Sequence, residues 1–282
     1  MLGAIIAPGF FSSSAVQLAA AVGALVAIVA GAVGVFTVIR GQAFAGEALG
    51  DMGAAGGSSA YLIGIAPLWG FIGFAVAAAG AMELVGIQRA RGRDLATGIV
   101  LGAGFGLAAL LLYLGTTLEN TTGAASTVLF GSAFGLQSSI LPLVLGFGAL
   151  ALGIIIALYR PLLLCSLSPE LGAARGLPVR LIGVAYLIAM ALAVALSAVT
   201  IGAILSTALL MGPAATALAL TSRPGRAILT AAAIGVGAMW LGLVLAYDSF
   251  DWRPIHHGWP VSFFVVTLVL IAYLAARVKA RR

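Results

Sequence analysis

The chain is a series of long apolar runs separated by short polar breaks. A helix of about 20 apolar residues is long enough to cross the hydrocarbon core of a bilayer. We therefore predict an all-α, polytopic membrane protein with about nine transmembrane helices, or eight if a Gly-rich segment is re-entrant. The predicted spans are 14–39, 42–64, 67–88, 95–115, 138–159, 181–199, 202–221, 227–247 and 260–277. Residues 1–282 are predicted to form a single transmembrane domain.

Two of the breaks are long enough to contain structure of their own. Residues 116–137 are rich in Gly, Ser and Thr, and we predict an outside loop with a short helix. Residues 160–180 are predicted to lie inside, with a short helix that begins at Pro169 and ends at Gly176 to Pro178. A short helix between two cytoplasmic loops is suited to docking another protein, so this break is a candidate coupling segment.

Basic residues cluster in alternate breaks. The chain has 14 Lys and Arg residues and a net charge of +6. With nine spans, every basic residue except Arg253 falls on one side of the membrane. The excess of Lys and Arg in cytoplasmic loops then places the N-terminus outside and the C-terminus inside. The positive charge orients helices here, and no nucleic-acid partner is predicted.

Composition narrows the function classes further. Hydrophobic residues make up 62% of the chain and charged residues only 8%, whereas soluble domains contain about 25% charged residues. The single lysine, Lys279, lies at the end of the chain, so a phosphate-binding P-loop is excluded. If ATP drives transport, it binds to a separate chain. A membrane enzyme is weakly supported, because no nucleophile or metal-hydrolase motif is recognisable.

Two carboxylates stand out inside the second predicted span. Glu47 and Asp51 are four residues apart and therefore share one helical face. Counted from Arg40, they lie roughly 10 Å and 16 Å into the membrane. Two acids this close repel each other unless they are protonated or bind a cation. We predict a transient path for a divalent cation; the alternative is a protonated pair, or one that lines a wet cavity without contacting cargo.

Other acidic and histidine residues are weaker candidates. Glu83 is either a further carboxylate on this path or the partner of an arginine at the membrane face. An outer segment that holds both histidines of the chain could collect metal at the mouth. A solvated loop or docking surface is the preferred explanation there, because adjacent histidines lack regular ligand spacing. The outer-mouth candidates are Asp248, Asp251, His256 and His257.

Glycines recur at every fourth position in the fourth predicted span. Gly98, Gly102 and Gly106 lie on one helical face. Small residues at this spacing are typical of closely packed membrane helices. We therefore predict that a neighbouring helix packs on this face.

Several segments resemble the membrane permeases of manganese, zinc and iron ABC importers, collinearly over about 14–277. Residues 38–51 resemble that family's arginine followed by a Gly-Asp-Ala-Leu-Ser-His motif. Residues 168–176 resemble its ATPase-coupling segment. Ile201-Gly202 and residues 209–217 resemble its late Gly-rich span ending in Pro-Ala-Ala-Thr-Ala, which is the most specific match.

The resemblance implies a permease in the cytoplasmic membrane that works by alternating access. It implies a homodimer surrounded by lipid, two cytoplasmic ATPases that hold the ATP, and an external metal-binding protein. No permanently bound cofactor is implied, since the metal is cargo. The alternatives are an ABC permease for another cargo, such as haem or a siderophore, and an ion-coupled secondary transporter.

Carried over by position, the family's metal-path acid and histidine fall on Glu47 and Asp51, respectively. Glu47 replaces an aspartate and Asp51 replaces the histidine, so this is a divergent member. Oxygen ligands suit Mn²⁺ better than Zn²⁺, and we predict Mn²⁺ slightly ahead of Zn²⁺ and Fe²⁺ as cargo. The implied coupling residues are Ser168 (an acid in the family), Pro169, Glu170, Ala174 and Gly176.

Overall fold

The computed structural model describes residues 10–85, 90–118, 122–251 and 258–280. Within these ranges the chain forms twelve α-helices and no strand. The helices are α1 Ser14–Ile39, α2 Ala43–Leu62, α3 Pro67–Val85, α4 Ala90–Leu118, α5 Thr122–Phe130, α6 Ile140–Ala157, α7 Tyr159–Leu167, α8 Pro169–Ala174, α9 Val179–Ile201, α10 Ala203–Leu220, α11 Pro224–Asp248 and α12 Val261–Ala280.

Eight of the described helices are long and apolar enough to cross a membrane. The ninth long helix, α2, has 20 residues but is less apolar, because it carries Glu47, Asp51 and several glycines. The predicted all-α, multi-pass membrane fold is therefore confirmed, with eight apolar spans and α2 beside them. The short helices predicted at residues 116–137 and at Pro169 are also present, as α5 and α8.

Helices α1 and α9 form the centre of the bundle. Both are buried on nearly every face, and the largest enclosed side chains include Phe36, Tyr186 and Met190. Helix α1 packs against α9, α10 and α11, while α12 covers α10 and α11. A helix that is apolar all round is typical of such a buried position. The outer helices α4, α6, α11 and α12 keep broad apolar faces exposed, as lipid contact requires.

Glycines let the helices around α2 approach one another closely. A methyl group at Gly56 of α2 would lie 2.6 Å from the carbonyl carbon of Gly70 in α3. A methyl group at Gly104 of α4 would lie 2.8 Å from the backbone nitrogen of Met52. Both helices therefore pack on α2 backbone to backbone, a contact that larger side chains would prevent.

The predicted packing of Gly98, Gly102 and Gly106 is wrong within this chain. A methyl group at any of the three would meet no atom within 4 Å. The α4 glycine that contacts a neighbour is Gly104, which lies on a different face of the helix. Spacing alone identified a face of small residues, but the position of α2 decides which glycine is packed.

Gly104→Val is expected to destabilise the protein by about 1–3 kcal/mol, because the added side chain overpacks the α2–α4 contact. Gly102→Val is the matched control, since it makes the same change in the same helix at an open position. Thermal unfolding of the purified protein in detergent measures both. Equal melting temperatures for the two variants would contradict this account of the packing.

Candidate cation path

Helix α2 presents Glu47 and Asp51 one turn apart on a continuous helix. Both residues are partly exposed, whereas the alanines and glycines around them are mostly buried. In the part of the chain that the structure describes, neither carboxylate forms a salt bridge within 4.0 Å. Two acids one turn apart and without a basic partner favour a positive ion beside them.

Two glycines attach one side of α2 to α9 and α10. A methyl group at Gly46 would lie 3.2 Å from Leu210 Cδ2, and one at Gly50 would lie 3.4 Å from Ser206 Oγ. Asp51 follows Gly50 by about 100° around the helix. The carboxylates therefore project from a strip of α2 beside the α9–α10 contact rather than into it.

The other sides of α2 are held by α3 and α4. Phe71 of α3 lies against two α2 glycines: a methyl group would be 3.4 Å from its ring at Gly53 and 2.6 Å at Gly57. Gly104 of α4 meets the α2 backbone at Met52. With neighbours on three sides, α2 is a fixed support for the carboxylate pair.

Glu83 is paired with an arginine. It lies near the end of α3 and is only 9% exposed, and its Oε1 accepts a hydrogen bond of 2.9 Å from Arg180 Nε at the start of α9. This contact supports the second of the two explanations offered for Glu83, an ion pair at the membrane face. No group of three or more His, Cys, Asp or Glu residues able to hold a metal occurs in the described residues.

The candidate coupling segment consists of two short helices, α7 and α8. The Ser168 hydroxyl caps α8 by accepting a hydrogen bond from the Leu171 amide, 3.3 Å long, and Pro169 occupies the first turn. Gly176, with φ of 74°, follows the end of the helix. Leu167 and Leu171 are 81% and 57% exposed. The coupling residues predicted from the sequence did not include these two exposed leucines, although apolar residues in a polar break could have indicated them as candidate contacts.

The outer-mouth candidates are only partly described. Asp248 is the last residue of α11, and Asp251 ends the 3₁₀ turn that follows it. His256 and His257 lie outside the described residues. Both explanations of this segment, the preferred solvated loop or docking surface and the collection of metal, therefore stay predictions.

A cavity of about 730 Å³ opens at the opposite end of α2 from Arg40. Its wall combines the α2–α3 turn with α5 and the segment that leads into α6, and it includes Tyr61, Thr127 and Gln137. Its lining contains no charged side chain among the described residues. Phe71 contributes to the lining and also packs on Gly53 and Gly57 of α2, so its ring contacts both the cavity and the helix that carries the carboxylates. No pattern in the amino-acid sequence indicated this cavity.

Known proteins resemble this chain over most of its length. It is 33% identical over 239 residues to the manganese transport system membrane protein MntC of Halalkalibacterium halodurans, which covers 84% of this chain and 81% of the relative. It is 29% identical over 224 residues to the manganese import system permease protein ScaB of Streptococcus gordonii, with 79% of each chain covered.

The fold has a solved counterpart as well. A chain in the structure of PsaBC from Streptococcus pneumoniae in complex with Fab superposes with a TM-score of 0.77 at 25% identity. That match covers 95% of this chain and 92% of the other. The profile of the ABC 3 transport family matches residues 12–276, which is nearly the whole sequence. The chain therefore belongs to the ABC 3 transport family.

Proposed function

We propose that this chain is the permease subunit of an ATP-driven importer that moves a divalent transition metal, preferably Mn²⁺, across the cytoplasmic membrane. The relatives are named as membrane or permease proteins of transport systems, so the chain is a transport component and not an enzyme. The observation that carries the choice of cargo is the pair Glu47 and Asp51 on α2, held in a membrane bundle without a salt bridge in the described residues.

Carboxylate oxygens are hard ligands, and this supports Mn²⁺ over Zn²⁺, which is bound well by His and Cys. Two protein ligands form an incomplete coordination shell, so the ion keeps water or gains ligands from elsewhere. Such a site binds modestly and releases its ion, as a transport path requires. Capture and most of the selectivity then belong to an external binding protein.

The same proposal includes the assembly. A second copy of the chain forms a homodimer, the N-terminus lies outside and the C-terminus inside, and alternating access moves the ion. ATP is bound by two cytoplasmic ATPases, in keeping with the lack of a P-loop lysine in this sequence. Residues 160–180 contact these ATPases, and α8 is the helix that docks on the ATPase surface.

Leu171→Ser is expected to lower metal uptake several-fold. In the proposed contact, the exposed Leu171 side chain enters an apolar groove of the ATPase. Burial of a leucine side chain contributes about 1.5–3 kcal/mol to the free energy of binding. Uptake and the transport-stimulated ATPase activity of the assembled complex are the two measurements. Leu229→Ser on α11 is the control, because Leu229 is 73% exposed but lies outside the coupling segment. Similar losses in both variants would remove α8 from the ATPase contact.

Cellular metal content tests the function itself. Cells lacking their own importers express the permease with its ATPase and binding protein at low external Mn, Zn and Fe, and mass spectrometry measures each metal. We expect Mn to rise, and to rise only when all three components are present. No change in any metal, in a complex that assembles and hydrolyses ATP, would overturn the proposal.

A second candidate cargo is a chelated metal. The cavity of about 730 Å³ is far larger than one ion needs and falls within the range of roughly 300–1,000 Å³ typical of small-molecule sites. Uptake of a radiolabelled iron siderophore by the same cells, compared with free ⁵⁴Mn, separates the two cargoes.

A further inference from the structure

A buried polar cluster connects α1, the α1–α2 turn and α9. It lies at the beginning of α2, the end of the helix nearer to Glu47. Its centre is Tyr186 of α9, which is fully buried. The Tyr186 hydroxyl lies 2.7 Å from Thr37 Oγ1 of α1, a residue 149 positions away in sequence. The Met190 sulfur lies within 3.7–3.8 Å of both hydroxyl oxygens.

The direction of the central hydrogen bond follows from its neighbours. Thr37 Oγ1 donates to the Val33 carbonyl at 3.1 Å, within its own helix. A hydroxyl has one proton, so while Thr37 donates to the Val33 carbonyl it accepts from Tyr186. A tyrosine hydroxyl buried this deeply needs a partner, because an unsatisfied buried donor is costly. Thr37 supplies that partner across the α1–α9 contact.

The turn between α1 and α2 joins the same cluster. The Arg40 guanidinium lies over the Tyr186 ring, 5.1 Å from its centroid. Arg40 Nε also donates to Gln42 Oε1 at 3.2 Å, and Gln42 is buried immediately before α2 begins. Between them, Gly41 with φ of 61° reverses the chain. The turn therefore contacts α9 through the Tyr186 ring, and the Tyr186 hydroxyl joins α9 to the end of α1 that leads into the turn.

The first turns of α2 also pack against α9. A methyl group at Gly46 would lie 3.9 Å from the Met190 sulfur, so α2 rests on the same part of α9. Glu47 is the next residue, and Asp51 follows one turn later. Any shift of the turn relative to α9 therefore moves both carboxylates.

We propose that Tyr186 is a positioning residue for the carboxylate pair: it anchors the α1–α2 turn to α9 and thereby sets the place of Glu47 and Asp51. The proposal rests on the proposed function only where it speaks of cation binding. Its structural part, the anchoring of α2, stands separately. Thr37 is the hydrogen-bonding half of this anchor, and Arg40 holds the turn against the ring.

The test uses the purified permease–ATPase complex, without binding protein, as Tyr186→Phe, Thr37→Val and the double variant. Hydrogen exchange followed by mass spectrometry reports on residues 40–47, and titration with Mn²⁺ monitored by electron paramagnetic resonance reports the Kd. Loss of one buried hydrogen bond changes an equilibrium constant roughly fivefold. We expect each single variant to exchange about fivefold faster in this segment and to bind Mn²⁺ about fivefold more weakly.

Two further results separate positioning from general loss of stability. The double variant should be no weaker than either single one, because both remove the same bond. Thr37→Ser keeps the hydroxyl and should behave as the wild type. Tyr273→Phe is the matched control, since Tyr273 also has an arginine near its ring, Arg277 at 5.9 Å, but lies on α12. In the Tyr273→Phe control, hydrogen exchange of residues 40–47 should stay at the wild-type rate.

Wild-type exchange and wild-type Mn²⁺ affinity in both single variants would overturn the proposal. If Tyr186→Phe does not fold, Thr37→Val decides alone. If the wild-type complex does not bind Mn²⁺ and cells import none, the proposed function fails. The exchange rates of residues 40–47 then still decide whether Tyr186 anchors α2.

Discussion

Asp51→Asn is expected to reduce metal accumulation by roughly tenfold or more in cells that express the complete importer. The substitution keeps the size of the side chain but removes its negative charge, and contacts to charged groups are worth about 1.5–3 kcal/mol. Only two carboxylates lie on this strip of α2, and the described residues contain no larger acidic or histidine group to replace one of them. Cellular metal content measured by mass spectrometry gives the result.

Two companion variants show that the charge at this position is responsible. Asp51→Glu retains a carboxylate and should recover a substantial part of the uptake. Glu47→Gln removes the other acid and should also lower uptake, with the complex still assembled and active as an ATPase. Normal accumulation by Asp51→Asn would mean that Asp51 is structural, while the transport function of the chain would be unaffected.

Gly202→Ala is expected to cost about 3 kcal/mol or more of stability, or to prevent assembly altogether. Gly202 separates α9 from α10 with φ of 89° and ψ of 158°, a conformation that only glycine adopts readily. A methyl group there would also lie 2.5 Å from the carbonyl carbons of Leu129 and Phe130, at the end of α5. Backbone strain and a clash with backbone atoms therefore act together.

Gly64→Ala separates these two effects. Gly64 has φ of 73°, but a methyl group at that position meets nothing within 4 Å. Its cost is strain alone, about 1–2 kcal/mol. Melting temperature and the yield of folded protein in detergent measure both variants. Equal losses in the two variants would show that the contact between α5 and the α9–α10 break contributes nothing.

The number and type of the long helices could be predicted from the sequence because the bilayer leaves few choices. A backbone in hydrocarbon must satisfy its own hydrogen bonds, so each long apolar run becomes a helix. The short helix α8 was equally predictable, since Pro169 favours a first turn and Gly176 favours a stop. Glu47 and Asp51 are predicted as site residues from the sequence alone, because carboxylates are rare and costly in apolar runs.

Partners between helices could not be predicted in this way. Glu83 pairs with Arg180 across 97 residues, and Tyr186 bonds to Thr37 across 149. Periodicity reports which face of a helix is small or apolar, but several neighbours are compatible with each face. That is why the spacing of Gly98, Gly102 and Gly106 predicted a packing surface, while Gly104 makes the contact.

The sequence by itself therefore determined a multi-pass helical bundle and the two acids of α2, because hydropathy and local backbone chemistry act over one helix at a time. Only the tertiary structure decided which groups lie around α2: its glycine contacts, the cavity that Tyr61 and Phe71 line at its far end, and the contacts of Tyr186 with Thr37 and Arg40. Each of these depends on how close two helices come, and that distance is set by side chains far apart in the chain.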